Sequence, residues 1–151
     1  MLVRSVHHVA VLTQDTDRFI DFWRGVFEAE VLIDEPRGGG RMTVVLVGDG
    51  VLFNVFRIEG NTEAQRQSPM FQRGRIDHFG VQTADEAAYR EIRRRLVERG
   101  ACDDQVTDFG AFESVTARDP DGLEFEVCWS RPGATLADLR EPDELRERAL
   151  A

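Results

Sequence analysis

Apolar and polar residues alternate along this chain with a period that changes, and the order of the periods occurs twice. Residues 5–13 alternate and are rich in valine, the two-residue period of a half-buried strand. From Thr16 to about Phe27, Phe19, Phe22, Trp23 and Val26 recur three and four positions apart, giving a helix with one apolar stripe, and Asp15 stands at its cap. Strand periodicity returns at residues 30–34, 41–47 and 51–58. Arg37-Gly38-Gly39-Gly40, read as a flexible hairpin, and Gly48-Asp49-Gly50 supply the turns between them. The second half repeats the order: a strand at 75–83, a helix at 86–99, a weak strand at 101–107, and strands at 112–117 and 123–129. Tyr89, Ile92 and Leu96 take the places of Phe19, Phe22 and Val26. Thr83 and Glu86 read as a capping box, and Gly100 as the stop. Two βαβββ modules predict an α+β fold: eight strands in a curved sheet that forms an open barrel, with the helices outside.

The modules span 1–59 and 75–134, joined by a polar, irregular linker at 60–74 in which Met70 and Phe71 suggest partial docking. A charged tail follows at 135–151, with leucines at 136, 139, 145 and 150, and Pro142 placed to start a short helix. At 151 residues the chain is one domain and needs no disulfide staple. Its net charge of -9 opposes both nucleic acid and an anionic membrane surface as partners. The two cysteines, Cys102 and Cys128, lie in no motif, and no apolar leader or membrane-length run is present. Reduced thiols and a cytoplasmic location are expected, although the sequence leaves a disulfide between the two open.

Candidate chemistry comes from the repeat. Offset by 70 residues, His8-Val9-Ala10-Val11-Leu12-Thr13-Gln14-Asp15 matches His78-Phe79-Gly80-Val81-Gln82-Thr83-Ala84-Asp85 at His, Val, Thr and Asp. Offset by 72, Asp49-Gly50-Val51-Leu52-Phe53-Asn54-Val55 lies on Asp121-Gly122-Leu123-Glu124-Phe125-Glu126-Val127. Similar halves packed about a pseudo-two-fold axis would bring His8 to His78 and Asn54 to Glu126, a donor set for a divalent metal. Strand parity supports the selection. Leu123, Phe125, Val127 and Trp129 share the face that packs under a helix, leaving Glu124, Glu126 and Cys128 on the other. Each histidine is followed two residues on by a small side chain, Ala10 or Gly80. His7 has the opposite parity and is excluded as a ligand. Taken singly, each of these is an ordinary strand residue; matched spacing and parity together favour the metal.

The paired histidine strands, with Asp119-Pro120-Asp121-Gly122-Leu123-Glu124-Phe125-Glu126-Val127 near the end, resemble the vicinal oxygen chelate superfamily of glyoxalases, bleomycin-resistance proteins and extradiol dioxygenases. The resemblance covers residues 5 to about 130. It implies metal ligands on the first and fourth strand of each module, here His8, Asn54, His78 and Glu126. Glyoxalase-type members usually carry Glu or Gln at the place of Asn54, which binds metal more weakly and cannot take up a proton at neutral pH. His8, His78 and Glu126 then resemble a 2-His-1-carboxylate triad. Such a set suits Fe(II) and oxygen chemistry, or Zn, Mn, Ni or Co acting as a Lewis acid on two neighbouring substrate oxygens. The resemblance implies a metal-dependent dioxygenase, lyase or isomerase of a small-molecule substrate, and a homodimer in which the site lies within one chain or across two. The alternatives are an antibiotic-sequestering binder that performs no reaction and a metal-free descendant that keeps only the fold. Phe56, Gln82, Thr43, Phe112, Ser114 and Cys128 are candidate pocket residues, Glu124 is a second carboxylate, and Arg57, Arg73 and Arg75 are candidate anion contacts.

Overall fold

The computed structural model describes residues 2, 5–72 and 76–139. Both modules fold as the periodicity predicts, into two four-stranded mixed sheets with one helix each. In the first, β1 (His8–Leu12), α1 (Thr16–Phe27), β2 (Glu30–Pro36), β3 (Gly40–Gly48) and β4 (Val51–Ile58) give the sheet order β1-β4-β3-β2. In the second, β5 (Gly80–Gln82), α2 (Glu86–Glu98), β6 (Val106–Asp108), β7 (Phe112–Arg118) and β8 (Glu124–Ser130) give β5-β8-β7-β6. The first strand of each sheet runs parallel to its neighbour, as a strand-helix crossover requires, and the other pairs are antiparallel.

The chain divides into two compact units. One comprises residues 1–67 with 120–122, and the other 68–119 with 123–151. In the first unit, α1 packs on β3 and β4 and buries Phe19, Phe22, Trp23 and Val26 against Val45, Phe53 and Val55. Trp23 meets Phe53 edge to face, with ring centroids 4.7 Å apart. Asp15 caps α1 by accepting the Arg18 N–H at 3.0 Å. Pro36 is tolerated in β2 because that strand lies at the sheet edge, where a missing donor breaks no ladder bond. Gly40 is required where β3 meets β4: a Cβ there would stand 2.1 Å from the Arg57 carbonyl oxygen.

In the second unit, α2 packs on β8, and Tyr89 and Leu96 are buried with Val115, Ala117, Phe125 and Val127. The parity assigned to the last strand holds for Phe125 and Val127. Two details differ from the sequence reading. The cap of α2 is Asp85, which accepts the Ala88 N–H at 2.8 Å; the Thr83 hydroxyl, buried at the end of β5, donates to the Cys128 carbonyl at 3.0 Å instead. Of the strand expected at 75–83, Gly80–Gln82 is the part that pairs with β8 among the described residues.

The turn at 120–122 belongs to the first unit. Asp121, its side chain 2% exposed, accepts hydrogen bonds from the Thr13 hydroxyl (2.5 Å), the Gln14 N–H (3.3 Å) and the Arg18 guanidinium (2.8 Å). The helix expected from Pro142 lies outside the described residues. Among the described residues no helix is long and apolar enough to cross a membrane.

Candidate metal centre

The open face of the first sheet carries His8, Ala10 and Leu12 from β1 and Leu52, Asn54 and Phe56 from β4. The parallel register pairs His8 with Leu52, Ala10 with Asn54 and Leu12 with Phe56. His8 and Asn54 therefore share one face, one register step apart. The His8 ring is exposed, and its Nδ1 lies 3.0 Å from His7 Nδ1. Thr43 is elsewhere: it pairs with Val55, lies on the helix-covered face fully buried, and bonds Asp34, so it does not line this surface. The reason is parity, since Thr43 is one residue from Met42 and Val44, which do face the open side.

The open face of the second sheet holds Gly80 and Gln82 from β5, Glu126 and Cys128 from β8, and Phe112, Ser114 and Thr116 from β7, all in register. His78 precedes Gly80 by two residues. Its Nε2 stands 3.9 Å from Glu126 Oε2, and its Nδ1 lies 2.8 Å from Asp77 Oδ2. An ionised carboxylate only accepts, so Asp77 calls for the proton on Nδ1 and leaves the Nε2 lone pair on the Glu126 side. The distance of 3.9 Å is too long for a hydrogen bond. Two donors each about 2.1 Å from one ion stand roughly 3.0–3.4 Å apart, so the pair closes by about half an ångström or more to hold one. Imidazole and carboxylate thus form a pair that fits a divalent cation, with the imidazole held from behind as metal-bound histidines are. Among the described residues, neither unit by itself gathers three His, Cys, Asp or Glu side chains as a ready-made metal cluster.

The surroundings of the pair are specific. Gly80 makes room for Cys128: a Cβ at position 80 would lie 3.3 Å from its Sγ. The Cys128 thiol contacts Ser114 Oγ at 3.7 Å and Glu126 Oε2 at 4.0 Å. Burial pushes this thiol up to about 11; the Ser114 contact opposes the shift and the Glu126 charge adds to it. Cys102 and Cys128 are both free thiols, and burial raises Cys102 as well. Gln82 accepts the Ser130 hydroxyl at 2.9 Å, and Phe112 stacks on Phe109 with centroids 4.7 Å apart. Glu124, the second carboxylate on this face, is buried and receives Nε and Nη2 of Arg118 at 2.8 and 2.6 Å, so its charge is already paired. Arg57 is exposed, whereas Arg73 and Arg75 lie outside the described residues. Asp77 was missed by reasoning from parity alone; its signal was its place immediately before a candidate ligand.

Comparison with known proteins gives a family. A sequence profile of the Glyoxalase/Bleomycin resistance protein/Dioxygenase superfamily matches residues 5–127. No curated protein shows significant sequence similarity to the chain. Solved structures share the fold at low identity. A glyoxylase/bleomycin resistance protein/dioxygenase domain from Frankia sp. EAN1pec aligns with TM-score 0.72 and 16% identity over 87% of this chain and 95% of its own. The fosfomycin resistance protein FosX from Listeria monocytogenes, solved with Mn(II) and sulfate, aligns with TM-score 0.61 and 16% identity over 91% and 98%. The trypanothione-dependent glyoxalase I of Leishmania major aligns with TM-score 0.61 and 17% identity over 83% and 86%.

Proposed function

Because the chain belongs to the Glyoxalase/Bleomycin resistance protein/Dioxygenase superfamily, we propose that it is a metal-dependent enzyme acting on a small molecule through two neighbouring oxygens. His8, His78 and Glu126 are the ligands of the divalent ion, with Asn54 as a weaker fourth. The observation that carries this reading is the Asp77–His78–Glu126 arrangement, a lone pair and a carboxylate side by side with the imidazole anchored behind. When bound, the ion supplies positive charge that stabilises an oxyanion developing on the substrate. The chain's own contribution is positional. Asp77 holds the His78 ring, Gly80 makes room for the Cys128 side chain, and the half-buried Cys128 thiol stays protonated at neutral pH. Asn54 cannot accept a proton as a carboxylate would, which weighs against a glyoxalase-type proton shuttle and favours a dioxygenase with Fe(II). Mn(II) in the FosX structure is a precedent within the fold for a different ion. Two unpaired cysteines suit a reducing cytoplasm, and a homodimer is the assembly we propose.

Elemental analysis of the purified protein, followed by oxygen-uptake assays of the iron-loaded form over a panel of catechols, tests this reading. One divalent ion per chain is expected. His78→Ala and Glu126→Ala each lower its affinity at least tenfold while far-UV circular dichroism is unchanged. Protein that neither carries nor takes up a divalent ion overturns the reading. A second reading, sequestration of an aromatic drug, is favoured by the half-buried Met42, Val44, Leu46, Leu52 and Phe56 on the open face of the first sheet. Drug binding that persists undiminished in EDTA, in protein without metal, selects it.

A further inference from the structure

We propose that Asp77 is a positioning residue of the metal centre: its two carboxylate oxygens join His78 to the turn at 69–72 and fix which ring nitrogen of His78 is bare. The inference rests on the metal-binding reading above. Oδ2 lies 2.8 Å from His78 Nδ1, and Oδ1 accepts the Phe71 N–H at 2.6 Å. The turn is closed by the Gln72 N–H donating to the Pro69 carbonyl at 3.1 Å. Phe71 holds a left-handed backbone, φ 65°, and its ring stands edge-on to the His78 imidazole at 6.3 Å. The Phe71 N–H is a donor, and so is His78 when Nδ1 carries the proton; a carboxylate offers a separate acceptor oxygen to each. The repeat sharpens the point. Position 7 corresponds to position 77 and is a histidine, so His8 Nδ1 meets another imidazole, which can donate or accept and dictates no tautomer. The second module's histidine is therefore oriented by the chain before any ion arrives, whereas among the described residues the first module's meets His7, which dictates no tautomer.

Asp77→Asn is the informative substitution because it keeps the shape and removes one acceptor. If the amide oxygen stays with Phe71 N–H, the amide NH2 faces His78 Nδ1, and the ring must move its proton to Nε2, on the Glu126 side. Long-range 1H–15N spectra of the metal-free protein at pH 8 read the tautomer directly, with the His78 signals assigned by their loss in His78→Gln. The wild type is expected to show Nδ1–H with Nε2 bare. Asp77→Asn is expected to populate Nε2–H and to weaken Mn(II) binding, measured by calorimetry, about 10–100-fold. Phe71→Gly keeps the amide and suits the left-handed backbone, so it should leave the tautomer unchanged. A wild-type ring already protonated at Nε2 overturns the proposal without any variant. So does an Asp77→Asn protein with unaltered spectrum and affinity, or a tautomer change in Phe71→Gly, which would assign the orientation to ring packing. Wild-type protein that takes up no divalent ion, Mn(II) and Fe(II) included, yet shows the Nδ1–H tautomer, lost in Asp77→Asn, supports the positioning role while removing the metal reading.

Discussion

At the scale of single residues, parity was the strongest guide and also where reading by parity stopped. It placed Glu126 and Cys128 on the face away from α2 and His8 with Asn54 on another open face, and the strand registers agree. It says nothing about residues that act through a neighbour, and so passed over Asp77. Nor did it assign Thr43, one position out of phase with Met42 and Val44, to the covered side. Arg93 is a similar omission. It stands where the first module has Trp23, yet it is buried, pairs with Asp104 at 2.6 Å and lies over the Tyr89 ring at 5.5 Å. Periodicity registers Arg93 as polar; burial of its charge depends on Asp104, eleven residues away and invisible to a period count. Cys128 yields a prediction at this scale. Its thiol is pushed up to about 11 by burial, so at pH 8 in metal-free protein it is protonated. Iodoacetamide should alkylate it far more slowly than an unfolded-peptide cysteine, with the rate climbing as the pH approaches 11, as followed by mass spectrometry. Rapid modification at pH 8 in the folded protein would contradict the burial.

At the scale of elements, α1 was legible to the residue, because a strong apolar stripe and a side-chain cap agreed with each other. The edge strands were not. β5 and β6 are three residues each among the described residues, shorter than the alternating runs at 75–83 and 101–107 that predicted them. The glycines at 38–40 were read as a flexible hairpin, and they do form the turn between β2 and β3. Gly40, however, serves close approach: the Arg57 backbone carbonyl would sit 2.1 Å from an added Cβ. Backbone cannot yield as a side-chain tip can. Gly40→Ala should therefore destabilise the protein by about 2 kcal/mol or more, well beyond the common effect of a surface substitution. A urea midpoint unchanged from wild type would show that β3 and β4 separate freely there.

At the scale of the whole molecule, the repeat is the organising fact, and one contact of high sequence separation shows how it is completed. Asp121, 108 residues after Thr13, is enclosed by the first unit and accepts from Thr13, Gln14 and Arg18. Asp121→Ala would leave those donors short of an acceptor in a buried place, a loss of about 2–3 kcal/mol discounted for the half-exposed Arg18. Equilibrium urea unfolding measures it, and a loss below about 0.5 kcal/mol would mean that the turn is not held by this residue. The sequence by itself determined the order of elements in the βαβββ modules, the bounds of α1 and the faces of β1, β4 and β8, because periods of two and 3.6 are local properties of the backbone. It also named His78 and Glu126 through the repeat. Only the tertiary structure decided that His78 Nε2 and Glu126 Oε2 lie 3.9 Å apart, that Asp77 stands behind the ring, that Glu124 is claimed by Arg118, and that Asp121 serves the first unit. Each of these depends on distances between side chains whose approach is fixed by sheet register and packing, which no local period encodes.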